Sequence, residues 1–165
     1  MVHLLKSCLS PLFFIQNLFE VNFRGCQWPS FSFDLVPKLL RFCTHVQSLD
    51  LSDCRLLAIP NNIGCLYNLG SLNLSRDDFV SLPESISHLF KLSGLLLDGC
   101  KRLRSLPNLP PYVYNISVNN FTSLERLPGP KNIFRPDHFL LCFKCNNYFK
   151  LADNIQSGFN MLQVT

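Results

Sequence analysis

No stretch of this chain approaches the ~18 uninterrupted apolar residues of a membrane-spanning helix, so it offers no transmembrane candidate. Charge is scarce too. Charged residues fill 16% of the 165 positions, against about 25% in ordinary soluble domains. That scarcity, with only seven glycines, excludes a charged linker, a coiled coil and a collagen-like chain. The net charge of +4 is mild and does not by itself point to a nucleic acid. No GxxxxGK[ST] loop is present, so the usual cradle for a nucleotide phosphate is missing. The opening MVHLLKSCLSPLFFIQNLF imitates a signal peptide only faintly. Ser10, Pro11, Gln16 and Asn17 break its apolar run, and no small-x-small cleavage site follows.

Apolar material is plentiful. Hydrophobic residues make up 47% of the chain, with 15 phenylalanines among them. One domain with a real core is the expectation at this length, and disorder is excluded by the same numbers. Eight cysteines stand at 8, 26, 43, 54, 65, 100, 142 and 145. Disulfide-dense domains are usually small and poor in core residues, which this chain is not. Reduced, buried cysteines in a cytosolic protein are therefore expected.

Internal repetition organises the rest. The pattern apolar-x-x-apolar-x-apolar-x-x-Cys reads Val46, Leu49, Leu51, Cys54 and recurs as Leu92, Leu95, Leu97, Cys100. Between them lies Leu69, Leu72, Leu74 with Asp77 in the last place, and after them Val113, Ile116, Val118 with Phe121. An earlier copy runs Leu18, Val21, Phe23, Cys26. A second landmark keeps step: Ile59-Pro60, Leu82-Pro83, Leu106-Pro107 and Leu127-Pro128 follow one another at 23, 24 and 21 residues. This is the signature of a leucine-rich repeat, whose period is ~20–29 residues.

Each position has a physical role. Side chains alternate along a strand, so the apolar pair of Leu-x-Leu faces inward and the intervening residues face out. Stacked parallel strands bury those residues in one continuous core. A small inward Cys can serve backbone groups left unpaired at the following turn. Asp77 and Phe121 depart from that role, which predicts looser turns there. Pro after Leu opens a return segment with a short helix or 3₁₀ piece, and Ile63, Leu66, Ile86 and Leu89 cover the other side of the core. A helical bundle is ruled out by Pro60, Pro83, Pro107 and Pro128, and a doubly wound nucleotide fold by the absent phosphate loop. The fold class is thus α/β, a leucine-rich repeat solenoid of about five turns with parallel strands on the concave face.

The segments SLDLSDCRLLAIPNNIGCL, LNLSRDDFVSLPESISHL and LLLDGCKRLRSLPNLPPYVYNISVNNFTSLERLP closely resemble the last repeats of plant intracellular immune receptors. That class joins a Toll/interleukin-1-receptor (TIR) domain, a nucleotide-binding domain and leucine-rich repeats. Residues 139–163, FLLCFKCNNYFKLADNIQSGFNMLQ, resemble the opening of the jelly-roll/Ig-like domain that follows the repeats, with FKLADNIQ carrying most of the match. The resemblance implies a solenoid over 1–130 with an irregular first turn, then a linker and truncated post-repeat β segment over 131–165. The TIR domain of the class cleaves NAD and its middle domain binds ADP or ATP; neither fits in this chain. What carries over is the ligand-sensing end: recognition of a pathogen effector or a guarded host protein, in the cytoplasm or alternatively the nucleus, with no cofactor, nucleic acid or membrane. Two rivals remain, a fragment of the NAD-cleaving receptor and a non-functional gene fragment.

Other chemistry is weakly supported. Cys142-x-x-Cys145 with His138 offers three zinc ligands where a structural site needs four. A Cys142–His138 catalytic pair lacks a folded pocket to meet in. Lys101, Arg102, Arg104, Arg126, Lys131 and Arg135 make the late repeats basic, which fits a solvated rim better than a phosphate site. The sequons at Asn73, Asn115 and Asn120 matter only in a secreted protein. The candidate protein-binding surface is instead the concave sheet. Its outward residues are Glu20, Asn22 and Arg24; Ser48, Asp50 and Ser52; Ser71, Asn73 and Ser75; Gly94, Leu96 and Asp98; and Asn115, Ser117 and Asn119. Fifteen positions fall short of the ~20–30 residues per side of a standard interface. Neither end of the array has a clear polar cap, which predicts self-association.

Overall fold

The computed structural model describes residues 19–26, 45–125 and 142–144. Six three-residue strands form one parallel sheet in chain order: β1 (Glu20–Asn22), β2 (Ser48–Asp50), β3 (Ser71–Asn73), β4 (Gly94–Leu96), β5 (Asn115–Ser117) and β6 (Cys142–Lys144). The register is constant. Val21, Leu49, Leu72, Leu95 and Ile116 stand side by side along the sheet, and each is buried. Their strand neighbours lie on the opposite face, as a period of two demands, and all but Ser117 are exposed or half-buried. The expected change of domain between 130 and 131 lies outside the described residues. Beyond it, β6 pairs with β5 in the same parallel register, Ile116 opposite Phe143, and so lengthens the sheet by a strand.

Strands this short leave many backbone groups to be satisfied beyond their ends, and the turn that follows each strand does so across to the next coil. After β1 to β4, the N–H groups of Phe23, Leu51, Leu74 and Leu97 donate to Asp50, Asn73, Leu96 and Ser117 carbonyls at 2.8–2.9 Å. Two residues on, Gly25, Asp53, Arg76 and Gly99 donate to Ser52, Ser75, Asp98 and Asn119 carbonyls at the same distances. The N–H groups of these residues are aimed by a left-handed backbone. Gly25, Asp53, Arg76, Gly99 and Asn120 all have φ between 55° and 73°.

The return segments fulfil the proline reading twice and depart from it once. Pro60 and Pro83 sit directly before the 3₁₀ helices Asn61–Cys65 and Glu84–His88, with φ of −73° and −71°. Ile63, Leu66, Ile86 and Leu89 are fully buried behind the sheet. No helix follows Pro107. Pro110 and Pro111 arrive three residues later, remove two N–H donors, and hold Leu109 and Pro110 out of helical backbone. Pro128 lies outside the described residues.

The two 3₁₀ helices pack without room to spare. A Cβ on Gly64 would stand 2.6 Å from the Ser85 carbonyl oxygen and 2.9 Å from its Cβ. Glycine here is a matter of close approach between neighbouring turns. The core itself is a single cluster of leucine, isoleucine, valine, phenylalanine and cysteine from Val21 to Leu124. Among the described residues, no helix is long and apolar enough to cross a membrane.

Two outcomes test this packing. Leu95 is fully buried and Leu96 half-buried, so Leu95→Asp should cost roughly 4 kcal/mol or more through an unpaired buried carboxylate. Leu96→Asp should leave the thermal melt nearly unchanged, and equal sensitivity of the two sites would disprove the register. Gly64→Ala should push the two 3₁₀ helices apart and cost about 1–3 kcal/mol in a denaturant titration.

Candidate functional site

The outward strand residues fall into three files across the sheet. Glu20, Ser48, Ser71, Gly94 and Asn115 form the first. Asn22, Asp50, Asn73, Leu96 and Ser117 form the second. Arg24, Ser52, Ser75, Asp98 and Asn119 follow two residues on. Thirteen of the fifteen are exposed or half-buried, and the strands bring them onto one face. Ser52 and Ser117 differ from expectation: each is only 4–5% exposed. Ser52 is drawn down by the turn, its carbonyl accepting from the Gly25 N–H and the Cys54 thiol. The Ser117 hydroxyl donates to Asp98 Oδ1 and accepts from Asn119 Nδ2.

Much of the second file is committed to the fold. Asn22 Oδ1 accepts from Arg24 N–H at 2.8 Å, Asp50 Oδ1 from Ser52 N–H at 2.9 Å, and Asn73 Oδ1 from Ser75 N–H at 3.1 Å. Each closes the turn after its own strand, a standard local role for Asn and Asp. Leu96 breaks the series because it carries no acceptor. The turn after β5 is closed from the neighbouring coil instead: Asp98 Oδ1 takes the Asn119 N–H and the Ser117 hydroxyl, both at 2.7 Å. Sequence reading found the face but not this division of labour, since Asn and Asp look alike whether they bind a partner or their own backbone.

A second set of exposed groups was missed altogether. Tyr67, Phe90 and Tyr112 are 54–59% exposed, and Tyr114 is 44% exposed. Tyr67 and Phe90 occupy equivalent places directly after the buried Leu66 and Leu89. Comparing the repeats for apolar residues at positions the core does not need would have found them. Tyr114 directly precedes β5 and brings this edge up to the strand face.

Behind the face, the expected loose turn at Asp77 is instead tightly tied. Its Oδ1 accepts from the Cys54 and Leu56 N–H groups of the preceding coil, both at 3.0 Å. A carboxylate oxygen thus does the work of an inward amide. Phe121 likewise fills the core at 3% exposure, so bulk replaces the hydrogen bond. The thiols behave as small donors: Cys54 Sγ reaches the Phe23 carbonyl at 3.0 Å and Cys100 Sγ the Leu74 carbonyl at 3.1 Å. Burial pushes the Cys100 thiol up to about 12, which keeps it protonated and unreactive. Cys26 is half-buried and Cys65 exposed, so burial does not extend to every cysteine.

Among the described residues, no cluster of three His, Cys, Asp or Glu side chains is placed to hold a metal. His138, Cys145 and the Cys142 side chain lie outside the described residues, as do Arg126, Lys131 and Arg135. Lys101, Arg102 and Arg104 are exposed.

Asp77 makes the stack pH-sensitive. Burial raises its carboxyl from 3.8 to about 7, with the Leu56 and Cys54 N–H groups pulling the other way and Asp78 and Asp53 adding to the rise. Its Oδ2 is buried without a hydrogen-bond partner. A raised native pKa means the folded state holds the proton more tightly than the unfolded chain. That contribution is complete below pH ~4 and is lost as the pH climbs through 7. Thermal stability should therefore fall between about pH 4 and 7 and level off above. Asp77→Asn keeps the Oδ1 acceptor and removes the charge; it should flatten the profile and add about 1–3 kcal/mol at pH 8. An unchanged pH profile in that variant would assign the dependence elsewhere.

Comparison with known proteins agrees with the geometry. No protein-family model matches the chain. It is 41% identical over 119 residues to the disease resistance-like protein DSC1 of Arabidopsis thaliana, covering 70% of this chain and 10% of that protein. It is 40% identical over 82 residues to TMV resistance protein N of Nicotiana glutinosa, covering 48% and 7%. Disease resistance protein RML1B of Arabidopsis thaliana matches at 32% over 123 residues, covering 71% and 12%. The chain thus spans about a tenth of the length of these relatives. Among solved structures, a leucine-rich repeat protein of Leptospira interrogans superposes with a TM-score of 0.59 at 22% identity, covering 85% of this chain and 40% of that one. The leucine-rich repeat domain of the type III effector XopL superposes at 0.57 and 18%, covering 88% and 57%. At these identities the structures speak for the fold, and the sequence relatives for the kind: the chain is a leucine-rich repeat segment of the class found in plant TIR/nucleotide-binding/leucine-rich repeat disease resistance proteins.

Proposed function

We propose that this chain is the recognition segment of a plant disease resistance receptor. It senses a pathogen effector, or a host protein guarded against one, through the strand face and adjoining edge. The observation that carries this reading is the constant register of the parallel strands. It sets side chains of different chemistry in fixed files on one surface, the kind of surface that repeat proteins use for binding. The segment itself is non-catalytic in this reading, and signalling belongs to the TIR and nucleotide-binding domains of the whole receptor. The cytoplasm is the proposed compartment, with the nucleus as the alternative.

Binding by the segment alone should be weak. Fifteen outward positions, several of them tied to the backbone, supply less than the ~20–30 residues per side of a standard interface. Size-exclusion chromatography of the purified chain, then titration with effectors of a pathogen that the receptor's host resists, tests the reading. A self-associating chain with a Kd weaker than about 1 μM is expected, since partial interfaces fall at the weak end of the affinity scale. A monodisperse monomer binding at nanomolar Kd would make the segment self-sufficient; no binding to any effector or guarded host protein would remove the recognition role.

A further inference from the structure

The repeats act as controls for one another, and the fourth coil departs from them on the strand face. Asn22, Asp50 and Asn73 each close their own turn with a side-chain oxygen, whereas the same place in β4 holds Leu96. Leucine offers no acceptor there, and Asp98 Oδ1 is turned to the fifth coil, where it holds the Asn119 N–H and the Ser117 hydroxyl. Leu96 therefore does no capping, and it remains half-buried rather than packed away. Beside it in β4, Gly94 leaves a gap: a Cβ there would meet only Ser71 Oγ, at 3.8 Å. On the neighbouring strand the gap is bordered by Asn115, in register with Gly94, and by Tyr114, 44% exposed.

The charges along this coil are ordered as well. The exposed Lys91 lies before β4, its Nζ fixed on Asn68 Oδ1 at 2.7 Å, with the 59% exposed Phe90 beside it. Asp98 lies after β4. A cation and an aromatic ring in the turn before β4 are thus followed by an open glycine and a leucine in the strand and a carboxylate in the turn after it. Exposed apolar groups set between fixed charges mark binding sites better than uniformly polar surface does.

Resting on the recognition role proposed above, we infer that the fourth coil is the specificity-determining part of the face, binding an extended polypeptide segment with an apolar side chain over Gly94 and Leu96. Charge complementarity sets the rest of that segment: an acidic residue meets Lys91 and a basic one meets Asp98. The carboxylate of Asp50, in the same file as Leu96 two strands away, extends the preference for a basic flank.

Random 12-residue peptides displayed on phage, panned against the immobilised full chain, test this without a known partner. Enriched peptides should share one large apolar residue between an acid and a base. Their binding should fall at least tenfold in Leu96→Asn, which restores the side-chain cap of the other coils and so should melt no lower than the parent chain. It should fall similarly in Gly94→Trp and less in Asp98→Asn, which keeps the Oδ1 acceptor and removes the charge. Glu84→Gln, exposed on the 3₁₀ helix behind the sheet, should leave it unchanged. Peptides that bind Leu96→Asn as well as the parent chain overturn this inference while leaving recognition by the chain intact. A panning that enriches nothing overturns both.

Discussion

Everything in this molecule depends on satisfying the backbone of one turn with the backbone of the next. Three-residue strands bring too few hydrogen bonds to stand alone, and every coil ends in a bend whose N–H and carbonyl groups lie partly inside. The structure answers with a rail of N–H to C=O bonds at 2.8–2.9 Å that continues past each strand end. The leucine file can close-pack only because this rail keeps successive coils in one register. Where a bend still has donors to spare, an inward side chain takes them: Asp77 for Cys54 and Leu56. Where carbonyls remain, thiols supply the donor.

That constraint decides which surface is free to act. Polar residues on the strand face read as a binding surface, yet three of them are held by their own turns. Their replacement by a partner's groups would open the bend and cost about 1 kcal/mol apiece, the ordinary net worth of such a bond. The exposed rings of Tyr67, Phe90 and Tyr112 are tied to no turn in this way. Their exposure carries a cost in solubility.

The architecture was legible in the sequence because repetition multiplies a weak signal. A single Leu-x-x-Leu-x-Leu could belong to many folds; five copies in step could not. The inward file from Val21 to Ile116 and the buried Ile63, Leu66, Ile86 and Leu89 all lie where the spacing put them. What remained hidden were choices among equivalent partners. Whether Asp77 loosens a turn or ties it depends on where two N–H groups of another coil point, which no pattern records. The missing helix after Pro107 was legible in principle, from Pro110 and Pro111. Regularity elsewhere drew attention away from it. The aromatic edge was hidden for the opposite reason: no repeat landmark falls on Tyr67, Phe90 or Tyr112, and most apolar residues in this chain are core.

The left-handed residue of each bend has a consequence for how the repeat sequence can vary. Gly25, Asp53, Arg76, Gly99 and Asn120 share one backbone conformation, and the first four share one hydrogen-bonding duty, which belongs to the main chain. A side chain there costs about 1–2 kcal/mol relative to glycine, and the stack evidently tolerates it. Glycine, acid, base and amide alternate at this place within a single molecule. The position is thus a row of interchangeable letters along the seam of the solenoid, open to rewriting by point mutation while the spelling of the core stays fixed.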